Sequence, residues 1–411
     1  MALSLGTPES VGFSSERLAR IRPAMQGYVD RGVFSGLSTM LARRGQIVHF
    51  EQVGYQDRES KAPMTAETIF RIYSMTKPIS CVALMMLYEE GRFQLFDPVA
   101  KFLPAFGALK VQIGNQEVDL VRPVLMVDLF RHTSGMTYNF LEDSPVAELY
   151  RAADLMSDAS RTLEQMIAEL ARMPLAFQPG QRWHYSMSID VIAHLVEVIS
   201  GRPLQDFLQE RLFAPLGMVD TGFSVPADQR QRIATVYGHP DISTTTFGKV
   251  FEAWMGGYNE RIDSVEQTNP ADNTTTFARG GHGLFSTASD YMRFAQMLLN
   301  GGTLDGVRIL GRKTTDLMHT NHVPAALLPY DLAGLPSMGY GFGLGSRVLL
   351  NVAESMVPGS MGEFGWAGAA KTYFWVDPKE EIVGVLMSQF MVAFDQPDKD
   401  FQVLAYQALV D

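Results

Sequence analysis

The amino-acid pattern points to an α/β fold in which both ends of the chain build one sheet and the middle is mainly helical. Three observations carry this. Two β-prone runs, Gly36 to Ala42 and Ile47 to Val53, flank Arg43-Arg44-Gly45-Gln46 as in a hairpin. Two more, Lys371 to Val376 and Ile382 to Ser388, lie near the other end across Asp377-Pro378-Lys379-Glu380. Between them, from Phe93 to Ser200, apolar residues recur at helical spacing and no strand pattern competes. This order suggests an α/β domain from residues 1–75 and 285–411 and a mainly helical domain with long loops from 76–284, with a functional site at their junction.

From the N-terminus, Ser14 to Tyr28 spaces Leu18, Ile21, Met25 and Tyr28 by three and four, an amphipathic helix that Pro23 works against. After the hairpin, Ile79 to Tyr88 is almost wholly apolar and stops at Glu89-Glu90-Gly91, which reads as a helix buried on every face. Val191 to Ile199 is a helical run closed by Ser200-Gly201-Arg202-Pro203. Residues 227–276, rich in Thr, Gly and Asn with Phe247, Phe251 and Trp254 interspersed, read as long surface loops. A helix over Ser289 to Leu299 is opened by Ser286-Thr287-Ala288-Ser289-Asp290 and closed by Asn300-Gly301-Gly302. Val323 to Pro336 is Pro-rich yet apolar at Leu327, Leu328 and Tyr330, a packed loop or the overhang of a cleft. Asp398 to Val410 is a final helix.

Composition narrows the function. With 46% hydrophobic and 19% charged residues the 411-residue chain is globular, and no apolar run approaches the roughly 18 residues of a membrane span. A net charge of −11 argues against nucleic-acid and anionic-lipid partners and leaves a small molecule as the expected one. Cys81 is the only cysteine, so no intrachain disulfide forms. Met1 to Leu18 lacks the basic start and apolar stretch of a secretory signal, giving the expectation of a cytoplasmic protein.

No G-x-S-x-G pentapeptide occurs, which excludes the α/β-hydrolase nucleophile. Neither a P-loop nor a dinucleotide-binding glycine pattern is present, and His319-Thr320-Asn321-His322 has no carboxylate at ligand spacing, so no cofactor and no metal are expected. His132 and His282, in Gly/Ser-rich loops, read as hydrogen-bonded structural residues. What remains is Ser74-Met75-Thr76-Lys77. A chain of this length holds about one S-x-x-K by chance, so its place matters more than its pattern. It sits between Phe70-Arg71-Ile72-Tyr73 and the buried helix, with Pro78 in a first turn that tolerates a missing N–H. A spacing of three brings the Ser74 hydroxyl and Lys77 amine onto one face. A serine attacks only when a neighbour takes its proton, and a buried lysine can supply a free amine. The helix N-terminus offers N–H groups to a developing oxyanion. A serine N-cap followed by a surface lysine would carry the same tetrapeptide.

Two further segments fit the same chemistry. Gln178-Pro179-Gly180-Gln181-Arg182-Trp183-His184-Tyr185-Ser186-Met187 brings Tyr185 out of a Pro-Gly turn just ahead of a helix, and Gly362-Glu363-Phe364-Gly365-Trp366-Ala367-Gly368-Ala369-Ala370 leads into a strand. In this order Ser74-x-x-Lys77, Tyr185-Ser186-Met187 and Trp366-Ala367-Gly368 resemble the three motifs of the serine β-lactamase-like hydrolases. Within them the chain is most similar to the family VIII carboxylesterases, relatives of class C β-lactamases and D-alanyl-D-alanine carboxypeptidases. Leu129 to Met136, Gly280 to Thr287 and Tyr340 to Gly343 are also family-like, so the resemblance spans nearly the whole chain.

The resemblance implies a β-lactamase-like fold, an antiparallel sheet with flanking helices beside a helical domain. It implies Ser74 as the acylated nucleophile, Lys77 as its base partner, Tyr185 as proton shuttle, and the N–H groups of Ser74 and Ala369 as oxyanion hole. Trp366, Gly368 and Met187 are expected at the substrate, and His184, beside Tyr185, is a candidate for substrate contact. Penicillin-recognising relatives carry lysine and asparagine where Trp366 and Met187 stand. Losing a cation and an amide should favour an uncharged, hydrophobic ester. The implied activity is hydrolysis of short to medium acyl esters through an acyl-serine. A β-lactamase, a D-amino-acid peptidase, an acyltransferase or a catalytically silent ligand-binding homologue would share the fold.

Overall fold

Successive side chains of a strand point to opposite faces, and the strands here are apolar on both, so helices must cover the sheet twice. In the computed structural model, which describes residues 3–272 and 278–411, nine strands form that sheet. They are β1 (Ser4–Leu5), β2 (Gly36–Arg43), β3 (Gln46–Asp57), β4 (Ala62–Pro63), β5 (Tyr340–Phe342), β6 (Arg347–Leu349), β7 (Phe364–Ala367), β8 (Tyr373–Asp377) and β9 (Ile382–Met387). Their order is β1-β3-β2-β9-β8-β7-β6-β5 with β4 attached to β3, and every pairing except β1 on β3 is antiparallel. The covering helices are drawn from α1 (Ile21–Asp30), α2 (Thr76–Glu89), α3 (Ser188–Ser200), α4 (Ala288–Leu299) and α5 (Pro397–Tyr406). No described helix is long and apolar enough to cross a membrane.

The two faces follow the alternation. Leu37, Leu41, Tyr373, Trp375 and Leu386 pack in one core with Ile21 and Met25 of α1 and Phe401 of α5. Met40, Ala42, Phe374, Val376, Val383 and Val385 face the other core, where α4 brings Tyr291, Ala295 and Leu298. The β2–β3 turn places Arg44 at φ 52 and Gly45 at φ 73, a turn whose twist matches the flanking strands. Pro23 is the third residue of α1, within the first turn where its missing N–H costs nothing.

Two sequence expectations need correction. The middle does contain strands: Lys110–Ile113 and Gln116–Asp119 form a hairpin around Gly114 at φ 59. Residues 227–276 are not all loop, since Thr246 caps a helix over Phe247–Met255 and its neighbour Phe394 packs on Phe247, Phe251 and Trp254. Residues 273–276 of that stretch, like Met1 and Ala2, lie outside the described residues.

Beside α5 the sheet buries a carboxyl group. Gln402 Nε2 donates to both oxygens of Glu363 at 3.0 and 2.9 Å, and the Tyr406 hydroxyl lies between Glu363 (2.9 Å) and Asp377 (2.7 Å). Burial, opposed by the Arg347 charge, pushes the Glu363 carboxyl up to about 7 from 4.5. The folded state therefore binds an extra proton between those values, and stability falls as pH rises through that window. Glu363→Gln cannot titrate, so its stability relative to wild type is expected to improve by about 3 kcal/mol from pH 4.5 to pH 8, measured by urea unfolding. A difference that stays flat with pH would rule out this source of pH dependence.

Candidate active site

Ser74 stands where a strand gives way to a buried helix. Phe70–Arg71 pairs antiparallel with Phe285–Ser286, the Ile72 N–H donates to Leu284 O at 3.0 Å, and a 3-10 turn over Tyr73–Met75 runs into α2. Tyr73 is left-handed at φ 44, a conformation that costs a non-glycine residue on the order of 1–3 kcal/mol and is held only by its surroundings. Those surroundings are tight: Tyr73 is buried, and α2 is buried continuously from Thr76 to Leu87 where it packs on α3.

Lys77, 1% exposed, directs its Nζ to Ser74 Oγ at 3.0 Å and to the Gly281 carbonyl at 2.7 Å. The ammonium also lies over the rings of Tyr185 at 4.7 Å and Tyr138 at 5.2 Å. These contacts aim one N–H at the serine and leave the charge facing aromatic π surfaces. Tyr185 is fixed by rings on several sides: His132 at 4.9 Å, Tyr138 at 5.1 Å, Trp366 at 5.6 Å and Trp183 stacked at 6.1 Å. Its hydroxyl accepts from Trp366 Nε1 at 3.3 Å. Asp190 of α3 accepts the Gly281 N–H at 3.0 Å, and Lys77 donates to the carbonyl of the same residue, so Gly281 links the two side chains. Burial raises the Asp190 carboxyl and the Lys77 charge works against that rise.

The third motif approaches from β7. A Cβ at Gly368 would lie 2.2 Å from Thr372 Oγ1 and 2.4 Å from the Ile72 carbonyl, so only glycine lets this strand end close on the turn carrying Ser74. Ala369 O and Ala370 O accept from Val392 N (2.6 Å) and Phe390 N (3.2 Å), while the Ala369 N–H has no acceptor among the described residues. Gly368→Ala is expected to cut kcat by about 10²-fold by displacing this segment, with a smaller change in KM. Comparing steady-state kinetics with the unfolding midpoint tests it, since a variant of normal kcat would show that the close approach is not needed for turnover.

These groups open onto a cleft of about 630 Å³ that includes Ser74, Lys77, Tyr185, Trp366, Gly368 and Ala369 in its lining. Tyr330, Leu332 and Pro336 form one wall, so the Val323 to Pro336 stretch both packs and overhangs: Tyr330 is 3% exposed and sits 4.2 Å from Trp183. Met187 is not at the cleft. It is 0% exposed in the core, because the chain enters α3 there and turns that side chain inward. His184 lines an adjoining cavity of about 490 Å³ that shares Tyr185, Phe247 and Ala333 with the cleft. Its Nε2 meets Thr137 Oγ1 at 2.9 Å, and burial holds the ring down to about 4 despite Asp143. His132 is buried with Nδ1 3.2 Å from Ser186 Oγ. Sequence reasoning missed Tyr138, Asp190 and the Gly281 carbonyl, and also Arg347 and Lys399, which line the same cleft with Lys371. Among the described residues no group of three or more His, Cys, Asp or Glu side chains is placed to hold a metal.

A sheet covered by helices on both faces, with Ser and Lys on one helical turn and Tyr brought in from a separate segment, is the arrangement of the serine β-lactamase-like superfamily. The sequence matches the family described as Beta-lactamase over residues 21–408, and the chain belongs to that family. Protein Rv1367c of Mycobacterium tuberculosis is 34% identical over 88% of this chain and 87% of its own length. Esterase EstB of Burkholderia gladioli is 28% identical over 83% and 82%. Among solved structures, EstCE1, titled a hydrolase with promiscuous acyltransferase activity, superposes with a TM-score of 0.79 at 26% identity, covering 95% of this chain and 99% of that one.

Proposed function

We propose that this protein is a serine carboxylesterase acting on short to medium acyl esters through an acyl-Ser74 intermediate. The observation that carries the reading is the buried Lys77 ammonium 3.0 Å from Ser74 Oγ and over the Tyr185 ring, inside an open cleft. In this reading the Lys77/Tyr185 pair, in the form that has given up one of its protons, takes the Ser74 proton as Oγ attacks the ester carbonyl. The N–H groups of Ser74 and Ala369 receive the oxyanion, and the departing alcohol takes the proton back. Water then attacks the acyl-enzyme by the same route. The similarity to EstB supports ester cleavage, and Trp366 beside Tyr185 gives the acyl-bearing region an apolar contact.

The test is a p-nitrophenyl ester series from acetyl to octanoyl run beside nitrocefin, with intact-mass detection of the acylated serine. Turnover of short and medium esters with an acyl adduct on Ser74 is expected. Nitrocefin hydrolysis within roughly tenfold of the best ester would move the assignment to a β-lactamase, and no adduct from any ester or from a fluorophosphonate would favour a silent ligand-binding protein. The likeness to EstCE1 favours a second outcome at the same site, acyl transfer, read as the butyl ester formed when 1-butanol competes with water.

A further inference from the structure

One wall of the cleft concentrates positive charge that the protein balances only in part. Arg347 on β6, Lys371 in the β7–β8 turn and Lys399 on α5 all line it, in a chain whose net charge is −11. Among the described residues only Lys371 is paired, with Asp398 Oδ1 at 2.9 Å. Arg347 meets one hydrogen-bond acceptor among the described residues, the Tyr373 hydroxyl, and its guanidinium lies 4.8 and 4.9 Å from the Tyr340 and Tyr373 ring centres. Lys399 Nζ sits 5.8 and 5.9 Å from the same two rings, with no carboxylate within 4 Å among the described residues.

The nearby acids offset this only in part. Glu363 is engaged by Gln402 and Tyr406 and is pushed toward its neutral form. Glu354, the acidic residue of the cleft lining, is exposed and bonded to Asn351 Nδ2 at 2.8 Å. Burial, then the Arg347 charge, hold the Lys399 ammonium down to about 8 against the pull of Asp398 and Glu363. Unbalanced cations in a half-buried wall are costly, and a ligand anion removes that cost. The backbone adds a second sign. Lys371 occupies a left-handed turn position at φ 60, a site that glycine fills without strain, so the chain keeps a cation where conformation disfavours one.

We infer that Arg347, Lys371 and Lys399 form a carboxylate-binding subsite, and that the substrate is an ester carrying a second, ionised carboxylate remote from the bond that Ser74 cleaves. This rests on the esterase reading and sharpens its substrate class, replacing the uncharged preference suggested by Trp366 and Met187. Arg347 supplies a planar donor pair for the carboxylate, and Lys399 an adjustable point charge beside it. The carboxylate belongs either to the acyl part, as in a dicarboxylic half-ester, or to the alcohol part, as in an ester of a hydroxy acid.

Two comparisons test it. In kinetics, mono-p-nitrophenyl glutarate is set against p-nitrophenyl valerate for an acyl-borne charge, and 4-acetoxybenzoate against phenyl acetate for an alcohol-borne one. At least one anionic member is expected to exceed its neutral partner in kcat/KM by about tenfold or more, mainly through KM, with Lys399→Met and Arg347→Met each collapsing that ratio. In binding, which needs no turnover, calorimetry on Ser74→Ala compares monoethyl glutarate and ethyl hydrogen malate with their neutral diethyl esters. An anion preference that weakens in high salt is expected. Neutral members matching or beating the anionic ones in both comparisons overturns the subsite. If neutral esters turn over well without such a preference, the esterase reading stands and only the subsite fails. If no ester turns over yet the anions bind Ser74→Ala selectively, the subsite stands and the esterase reading fails. A variant that does not fold is replaced by Lys371→Met, whose ratio is expected to fall in the same direction.

Discussion

Ser74→Ala is expected to lower kcat/KM for the best p-nitrophenyl ester by about 10⁵-fold or more, leaving a folded protein with an intact cleft. In the proposed mechanism the loss is this large because Oγ is the atom that becomes covalently bound, and Lys77 points its ammonium at that oxygen and at the Gly281 carbonyl. The fold should survive because the Gly281 bond keeps Lys77 in place and an alanine fits a turn already held by buried neighbours. Steady-state rates, intact-mass detection of the acyl adduct and the thermal midpoint read these two expectations separately. An alanine variant that keeps more than about a tenth of wild-type turnover would remove Ser74 from the role of nucleophile.

Tyr185→Phe removes one oxygen from a ring that is otherwise clamped. The ring keeps its contacts with His132, Tyr138, Trp183 and Trp366, so substrate binding should change little. If the hydroxyl relays the proton between Ser74 and the leaving alcohol, kcat falls by about 10² to 10⁴-fold with KM nearly constant. Trp366 Nε1 loses its acceptor at the same time, at a cost near 1 kcal/mol that lowers the unfolding midpoint by a few degrees at most. A purely structural tyrosine would give the opposite split, a normal kcat in a destabilised protein.

Much of this was legible in the residue pattern, for identifiable reasons. The hairpin at Arg44-Gly45, the buried α2 and the strands around Asp377-Pro378 stand out because apolar runs there end abruptly in turn residues. The hairpin over Lys110–Ile113 and Gln116–Asp119 was hidden because each strand has four residues, mostly exposed, and such short alternation is lost among helical runs. Ser74, Lys77 and Tyr185 could be picked out as candidates because two share one turn and the third follows a distinct Pro-Gly turn. Met187 misled because nearness in sequence to Tyr185 suggested nearness to substrate, whereas the first turn of α3 rotates it into the core. The grouping of Arg347, Lys371 and Lys399 was invisible for a different reason. They come from a strand, a turn and a helix that only the folded sheet edge brings together, and the negative total charge conceals them.

The overhang containing Tyr330, Leu332 and Pro336 has a bearing on how this cleft can change. Its two short strands, Asp331–Leu332 and Leu335–Pro336, pair with each other and not with the nine-stranded sheet. Lengthening or exchanging this hairpin therefore reshapes one side of the cavity without breaking a ladder that supports Ser74, Lys77 or Tyr185. In the proposed mechanism, variation confined to residues 331–337 can explore new acyl groups while Tyr330 stays against Trp183 and the Ser74, Lys77 and Tyr185 cluster is inherited intact.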